Sequence, residues 1–461
     1  MQELINALPE EVTAENAETV DEQLAAIDAA LENLAALDET LADELDMTHY
    51  DAICGARVGL VSVQADTHAD HLICNDESCT YHAKMTWTAI SAFSDITQDG
   101  FYYLKENVTL KSTWTCDFNV RLCLNGKKIQ VESGTMVDAI KVQSGKTLEI
   151  TDCQETVGEI SHASGATGRG IYNDGTLFLW NGTITGNISD QRSTCGGGVY
   201  VSETGRFTMN GGSITKNTNK SLGGGGVYVA EGGTFTMTGG DITGNTTPDS
   251  CGGGVNAVGT FTMAGGSIIG NSSTSSNVDN TFFSYGGGVN VNGTFIMNDG
   301  KITGNTSAHD GGGVNVFNNG TMKMNGGEIT GNNTTNKYDR RSGGVYVSWE
   351  GKFNVSGSAK IQDNYLNGTI NNSGVYVQGT DGKKANVYVG GSGNDKDGSS
   401  YAVITIDSGL TDSARIGVNR DSEKLPEPGD KVIIATGANT SNLNYAEIFT
   451  SDLTDQGYRI V

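Results

Sequence analysis

The fold is decided by the stretch Gly196-Gly197-Gly198-Val199-Tyr200-Val201, which is followed by Phe207-Thr208-Met209 and Ile214-Thr215-Lys216-Asn217. The same three-part phrase returns as far as residue 376, and a degenerate earlier copy covers residues 171–187, so the sequence is a repeat array of about eight copies. Successive copies are separated by 28, 28, 34, 25, 31 and 30 residues, counted between their Gly-Val steps. These steps lie at Val199, Val227, Val255, Val289, Val314, Val345 and Val375.

Each segment of the phrase alternates apolar and polar residues, which predicts short half-buried strands and not helices. Three short strands cannot enclose a core by themselves, so each copy must stack on its neighbours. We therefore predict an all-β fold, a parallel β-helix with three faces. The usual chirality of parallel crossovers predicts that it is right-handed.

An asparagine closes each copy, three residues after an isoleucine. Stacking brings these asparagines above one another, where each side-chain amide can hydrogen-bond to the next and avoid an unpaired buried polar group. The sequence therefore predicts an asparagine ladder. The Ile/Asn pairs are Ile214/Asn217, Ile242/Asn245, Ile268/Asn271, Ile302/Asn305, Ile329/Asn332 and Ile361/Asn364.

The composition limits the possible partners. With 54 acidic and 29 basic residues the formal net charge is −25, which disfavours nucleic acid and anionic membranes. No run of 18 apolar residues exists, so we expect no membrane insertion, and the first residues do not resemble a signal peptide. We expect a fragment of a larger exported protein, without its signal and anchor.

The sequence divides into four regions. Residues 1–57 contain apolar residues at helical spacing and predict an acidic helical hairpin that serves as a spacer or cap. Residues 58–100 are a linker rich in Cys and His, residues 101–389 the β-helix with regular repeats from about residue 170, and residues 390–461 the final coils and a cap. The phrase Ile5-Asn6-Ala7-Leu8-Pro9 resembles the helical spacer modules of Gram-positive surface proteins.

A possible metal site lies in the linker. His71, Cys74, Cys79 and His82 are spaced symmetrically and could supply the tetrahedral N/S shell that a structural zinc prefers. A Cys74–Cys79 disulfide with bystander histidines, or free thiols, would explain the same residues. Calcium is not expected, because the loop-like sequence at residues 394–398 lacks the first ligand and the closing glutamate of an EF-hand.

A disulfide is predicted between Cys123 and Cys153. They are about one coil apart, and adjacent coils lie ~4.8 Å apart, which suits a disulfide. Cys195 and Cys251 occupy equivalent corners two coils apart, so we do not expect them to pair with each other.

Several phrases carry a family resemblance. Tyr102-Tyr103-Leu104, Leu122-Cys123-Leu124-Asn125-Gly126 and the repeated GGGVYV and FTMNGGSIT patterns are similar to the β-helical adhesin-like surface proteins of gut Firmicutes. The likeness covers residues 68–389. A more distant likeness is to the chlamydial polymorphic outer membrane proteins, from which this chain departs by using GGGV and IxxN. The resemblance implies an extracellular location on a bacterial surface and contact with a host glycan or protein.

The outward residues of the first strand are the candidate ligand-binding column. Tyrosine rings flanked by amides can stack on sugar faces and hydrogen-bond hydroxyls. Tyr and Asn also simply suit an exposed strand, and recognition could instead lie in the long loops at residues 271–285 and 332–342. The column is Tyr200, Tyr228, Asn256, Asn290, Asn315, Tyr346 and Tyr376.

These observations favour a non-enzymatic adhesin or stalk. A polysaccharide lyase or hydrolase is the alternative, but it needs an acid/base set or a carboxylate cluster on one face, and the outward columns contain neither. Ice binding is less favoured. The outward Thr pairs on consecutive coils, such as Thr260/Thr262, are interrupted at Arg206, Ile296, Lys323 and Asn354.

Overall fold

The structure is a computed structural model, and the chain separates into two compact units, Met1–Leu72 and Ile73–Val461. The helical hairpin predicted for residues 1–57 lies almost wholly outside the described residues. No α-helix is among the described elements, so the hairpin has no support. The described residues are 4, 6–9, 23, 27, 87–190, 194–275, 284–317, 319–335, 342–348, 350–367, 369–370, 376–377, 383–389, 404–411, 413–419, 435–437 and 448–452.

The second unit contains a parallel β-solenoid of about nine turns, which confirms the predicted repeat fold. A representative turn has Val199–Val201 on face 1, Arg206–Met209 on face 2 and Ser213–Thr215 on face 3. A short strand, Thr218–Asn219, adds a narrow face 4 after the ladder asparagine. The sequence predicted the first three faces and not the fourth.

The strands of each face pair in parallel with the turns before and after them. Face 1 comprises Trp114–Cys116, Ile140–Val142, Ile171–Asn173, Val199–Val201, Val227–Val229, Val255–Ala257, Val289–Val291, Val314–Val316, Val345–Val347 and Val387–Val389. Face 2 comprises Trp87–Ile90, Gly100–Leu104, Val120–Cys123, Thr147–Thr151, Thr176–Leu179, Arg206–Met209, Thr234–Met237, Thr260–Met263, Thr294–Met297, Thr321–Met324, Lys352–Gly357, Ile404–Leu410 and Ala435–Gly437.

Faces 3 and 4 are built in the same way. Face 3 comprises Val108–Leu110, Lys128–Val131, Glu159–His162, Thr183–Thr185, Ser213–Thr215, Asp241–Thr243, Ser267–Ile269, Lys301–Thr303, Glu328–Thr330, Lys360–Gln362, Arg415–Asn419 and Phe449–Ser451. Face 4 comprises Ile188–Ser189, Thr218–Asn219, Thr246–Pro248, Ser272–Thr274, Thr306–Ser307, Asn333–Thr334 and Tyr365–Leu366. The remaining elements are the 3-10 helix Phe93–Asp95, Thr369–Ile370, Tyr376–Val377 and Lys383–Lys384.

The core is a stack of identical residues, because equivalent positions of successive turns pair in register. Phe207, Phe235, Phe261 and Phe295 lie above one another with ring centroids 4.7–4.8 Å apart and planes 7° apart. Each is at most 1% exposed. Burying one such side chain contributes about 2 kcal/mol, so the repeated core accounts for much of the stability of a thin body.

The predicted asparagine ladder is present in the interior. The Nδ2 of each asparagine donates to the Oδ1 of the next at 2.8–3.1 Å, and each backbone N–H donates to the same oxygen. The second Nδ2 proton bonds the carbonyl of an isoleucine in the preceding turn, as from Asn217 to Ile184 at 2.9 Å. The members are Asn187, Asn217, Asn245, Asn271, Asn305, Asn332, Asn364 and Asn386.

The glycine corner has two separate requirements. Gly196 has a φ of 74°, a left-handed conformation that glycine adopts readily. Gly198 needs space, since a Cβ there would lie 2.6 Å from the carbonyl oxygen of Gly226 in the next turn. The repeated triple glycine is therefore explained by stacking.

The described strands after residue 389 continue the solenoid. Ile404–Leu410 pairs with Lys352–Gly357 on face 2, and Arg415–Asn419 pairs with Lys360–Gln362 on face 3.

At the upstream end of the solenoid the ring of Phe93 stacks on that of Trp114, and the two ring centroids are 3.9 Å apart.

Candidate functional site

The predicted column lies on the outward side of face 1. Tyr200 pairs with Tyr228, which pairs with Asn256, and the column continues through Asn290 and Asn315 to Tyr346. The register also adds Tyr172 one turn upstream of Tyr200. Tyr172 belongs to the degenerate copy at residues 171–187, and the predicted column does not include it.

The last predicted member, Tyr376, does not belong to this column. It lies on Tyr376–Val377, which pairs antiparallel with Thr369–Ile370. Face 1 is continued by Val387–Val389, so Tyr388 stacks after Tyr346. The glycine phrase before Val375 suggested the wrong strand, because the strand that takes the position on face 1 is preceded by Asn386 and not by a glycine.

The upstream part of the column forms a tyrosine patch, which we define as Tyr172, Tyr200 and Tyr228. Their ring centroids are 5.1 and 5.7 Å apart on consecutive turns. All three side chains are half-buried, so each is held by its neighbours and still reaches solvent. The patch offers aromatic surface at a spacing of one turn.

Two cations border this patch. The Arg169 guanidinium lies 4.6 Å from the ring centroid of Tyr172 and 5.2 Å from that of Tyr200. Asp138 fixes it through Nε–Oδ1 and Nη2–Oδ2 contacts of 2.9 and 2.8 Å. The Lys141 Nζ lies 5.2 Å from the Tyr172 ring. Cation–π contacts of this kind hold the rings in place.

Burial sets the protonation of the tyrosine hydroxyls. It raises the pKa of Tyr172 and Tyr200 above the ordinary 10.0, with a smaller upward contribution from Asp174 at Tyr172. Burial also raises the pKa of Tyr228, whose hydroxyl hydrogen-bonds to the Cys195 thiol. At neutral pH the patch is therefore uncharged at its hydroxyls, which can donate and accept hydrogen bonds.

The middle of the column is closed to ligands. Asn256, Asn290 and Asn315 are 5%, 3% and 1% exposed. Asn315 Nδ2 donates to Asn290 Oδ1 at 2.7 Å, and Asn290 Nδ2 donates to Asn256 Oδ1 at 3.0 Å. Asn256 Nδ2 donates to the carbonyl of Leu222 at 3.3 Å. These predicted binding residues form a second, shorter asparagine ladder, and we leave them out of the candidate site.

Two tyrosines lie beyond this buried segment. Tyr346 and Tyr388 stack with centroids 5.3 Å apart and planes 4° apart, and Tyr388 is only 5% exposed. The predicted column thus consists of an accessible patch upstream, a buried centre and a mostly covered pair downstream. Parts of the alternative recognition loops, residues 276–283 and 336–341, lie outside the described residues.

A groove that the sequence did not reveal follows the corner between faces 2 and 3. Its volume is about 400 Å³. Lys301 Nζ and Lys360 Nζ lie 3.9 and 3.3 Å from the two carboxylate oxygens of Glu328. Glycines at the corner leave the floor without side chains. The lining residues are Gly265, Gly266, Ser267, Asp299, Gly300, Lys301, Gly327, Glu328, Ser358 and Lys360.

The predicted zinc site lies outside the part of the chain that the structure describes. This applies to His71, Cys74, Cys79 and His82, and equally to the calcium-like sequence at residues 394–398. Within the described ranges no group of three or more His, Cys, Asp or Glu residues could hold a metal ion. The zinc stays a prediction.

The cysteines predicted to form a disulfide are neighbours but are not bonded. Cys123 Sγ and Cys153 Sγ are 3.3 Å apart, which is a hydrogen-bond contact and not a disulfide bond. They are buried beside Tyr103 and Trp87 in a small cluster outside the main core. The predicted proximity is therefore present, and the bond is not.

No protein-family model, curated protein or solved structure matches this chain. Among the described residues, no helix has the length and apolarity needed to cross a membrane. The fold by itself places the chain in the class of parallel β-solenoid repeat proteins.

Proposed function

We propose that this chain is a non-enzymatic adhesin or stalk of a bacterial cell surface, built as a right-handed parallel β-helix, and that its tyrosine patch binds a host glycan. The stack of Tyr172, Tyr200 and Tyr228 supports this proposal most directly. Aromatic faces and neutral hydroxyls are the groups that recognise sugar rings.

The geometry of the solenoid suits a chain-like ligand. Successive turns lie ~4.8 Å apart, which is close to the length of one sugar unit in an extended glycan. A glycan along the solenoid axis would therefore place about one sugar beside each tyrosine, against the ring edges and hydroxyls that stacking leaves exposed. Since the rings are already fixed by stacking and by Arg169, little side-chain freedom is lost on binding.

The remaining expectations belong to the same proposal. An extracellular, oxidising location would allow the neighbouring thiols of Cys123 and Cys153 to be oxidised to the expected disulfide, and it is compatible with a structural zinc at His71, Cys74, Cys79 and His82. The net charge of −25 argues against a nucleic-acid partner. A host surface protein is the other partner that we consider.

A glycan array tests the proposal. We expect reproducible binding by the unmodified protein, loss of binding in the double variant Tyr200→Ala/Tyr228→Ala, and unchanged binding in Thr243→Ala, a substitution on the outward side of face 3. Melting curves must show that the double variant is folded. Binding by the folded double variant at the level of the unmodified protein would contradict a role for the patch.

The groove at Glu328 favours a second candidate, a polysaccharide lyase or hydrolase. Lysines beside a carboxylate could bind an acidic sugar and move a proton. Incubation with polysaccharides and measurement of new reducing ends or unsaturated products separates the two functions. Product release that disappears in Glu328→Gln would replace the adhesin proposal with the enzyme.

A further inference from the structure

The outward side of face 2 changes character along the solenoid. In the middle of the solenoid its central column holds three consecutive threonines, Thr208, Thr236 and Thr262. Upstream the same column holds aromatic and charged side chains in register, and Trp180 lies beside them at the end of the fifth strand. We call the upstream part the face 2 strip. It comprises Trp87, Phe101, Arg121, Glu149, Phe178 and Trp180.

An ion pair fixes the centre of the strip. Arg121 Nε and Nη2 donate to Glu149 Oε2 at 3.0 and 2.5 Å. Trp180 Nε1 donates to the same oxygen at 3.0 Å. The side chains of Arg121 and Glu149 are 20% and 21% exposed, so both lie at the surface while their contacts hold them in place.

Aromatic rings flank this ion pair on both sides. The Arg121 guanidinium lies 5.4 Å from the ring centroid of Phe101, which contacts Trp87 edge to face at 5.5 Å. On the other side Phe178 and Trp180 have centroids 6.1 Å apart and planes 14° apart. All four rings are partly exposed. The strip therefore consists of a pair of aromatic rings, an ion pair and a second pair of aromatic rings, arranged in this order across five turns.

The ion pair leaves one hydrogen-bonding atom for a ligand. Oε2 of Glu149 accepts three hydrogen bonds, whereas Oε1 accepts none from the described residues. A carboxylate oxygen can accept two hydrogen bonds, and sugar hydroxyls are suitable donors. Because the Arg121 charge is already paired with Glu149, the strip has no free cation to attract an acidic sugar.

We propose that the face 2 strip is a second glycan-binding surface, which takes a neutral polysaccharide lying along the solenoid axis. Sugar rings stack on the Phe178/Trp180 and Phe101/Trp87 pairs, and a hydroxyl of the sugar between them donates to Glu149 Oε1. The ~4.8 Å step between turns again matches one sugar unit for each turn. The surface is distinct from the tyrosine patch, because Phe178 and Tyr172 belong to one turn but to different faces. It does not depend on binding at that patch.

Affinity electrophoresis in gels that contain mixed-linkage β-glucan, galactomannan or arabinoxylan tests this inference. The unmodified protein is expected to be retarded by at least one of these neutral polysaccharides and not by acidic polygalacturonate. Trp180→Ala should weaken binding about tenfold, the effect of about 1.4 kcal/mol. Trp180→Phe keeps a ring and should keep most of the binding, while Thr236→Ala, an outward substitution on face 2 two turns downstream, is the control.

Several results would overturn the inference. These are the absence of retardation by all three neutral polysaccharides, equal retardation by polygalacturonate, or equal binding by Trp180→Ala with an unchanged melting curve. Sedimentation as a dimer that Trp180→Ala dissociates would instead make the strip a contact between two copies of the chain. Retention of binding in Tyr200→Ala/Tyr228→Ala separates this surface from the tyrosine patch.

Discussion

Asn245, the third member of the interior ladder, offers a quantitative test of how the solenoid is held together. Its Nδ2 donates to Asn271 Oδ1 at 2.9 Å and to the carbonyl of Ile214 at 2.8 Å. Its Oδ1 accepts from Nδ2 and from the backbone N–H of Asn217, both at 3.0 Å. The side chain is 0% exposed, so water cannot replace these bonds in the folded protein.

Asn245→Ala would remove all four hydrogen bonds at once. Asn271 Oδ1 keeps the bond from the Asn245 backbone, and Asn217 Nδ2 keeps its bond to Ile184. The Asn217 N–H and the Ile214 carbonyl lose the partner that Asn245 supplied. Each buried group left unsatisfied costs about 1–3 kcal/mol, so we expect the free energy of unfolding to fall by about 2–6 kcal/mol.

The control is Asn298→Ala. Asn298 is exposed and accepts one hydrogen bond from Asn325 at 2.8 Å, so its loss should cost less than about 1 kcal/mol. Urea denaturation followed by circular dichroism compares the two variants. Hydrogen exchange adds a local measurement, since protection at the Asn217 amide should fall while protection at Asn364 persists. Equal urea midpoints for the two variants would contradict a stabilising role for the interior ladder.

Three further predictions concern the core and the end of the ladder. Phe235→Ala removes a ring that is stacked on both sides and should cost about 3–5 kcal/mol. Thr236→Ala, its outward neighbour, should change stability by less than about 0.5 kcal/mol, and equal urea midpoints would contradict this.

Burial raises the pKa of the Cys116 thiol to about 12, so a thiolate-selective reagent at pH 8 should label it only after denaturation, as mass spectrometry would show. Because the ordinary value is 9.0, this thiol stabilises the fold fully below pH 9, and its contribution is lost as pH rises towards 12. His162→Leu leaves Asn187 Oδ1 without its hydrogen bond to His162. This variant should therefore have a lower melting temperature than His162→Gln, whose side-chain amide keeps a donor. A lower melting temperature for His162→Gln would contradict the role of His162.

The repeat fold was predictable because its signals are local and repeated. Alternation over Val199–Val201 and Arg206–Met209 shows strands, and the asparagine after every third strand shows where amides stack. Both patterns occur in every regular copy, so a single irregular copy does not obscure the predicted fold.

The limits of the column prediction have a different cause. Tyr376 follows a glycine phrase but lies off face 1, because the strand that pairs with Val345–Val347 is Val387–Val389, which follows Asn386 and not a glycine. Asn256, Asn290 and Asn315 occupy outward positions of their strands and are nevertheless buried. The alternation of apolar and polar residues predicts which side of a strand a side chain lies on. Whether that side is exposed to solvent depends on segments from another turn, such as the one that contains Leu222.

The ends of the interior ladder follow from its polarity. In the bonds between ladder side chains every Nδ2 donates to the Oδ1 of the next asparagine downstream, so the first amide presents an acceptor and the last presents donors. His162 Nδ1 lies 2.7 Å from Asn187 Oδ1, and its Nε2 lies 2.8 Å from the carbonyl oxygen of Val137. Asp452 accepts from the N–H and the Nδ2 of Asn386, both at 2.7 Å.

Both ring nitrogens of His162 face oxygen atoms. The aligned amides thus have a donor at one end and a carboxylate at the other, the arrangement that aligned dipoles favour in a helix. A single repeat could not reveal either residue, because each depends on where the array ends. Insertion or deletion of a whole repeat would leave both end requirements unchanged, so the array can vary in length while His162 and Asp452 keep their roles.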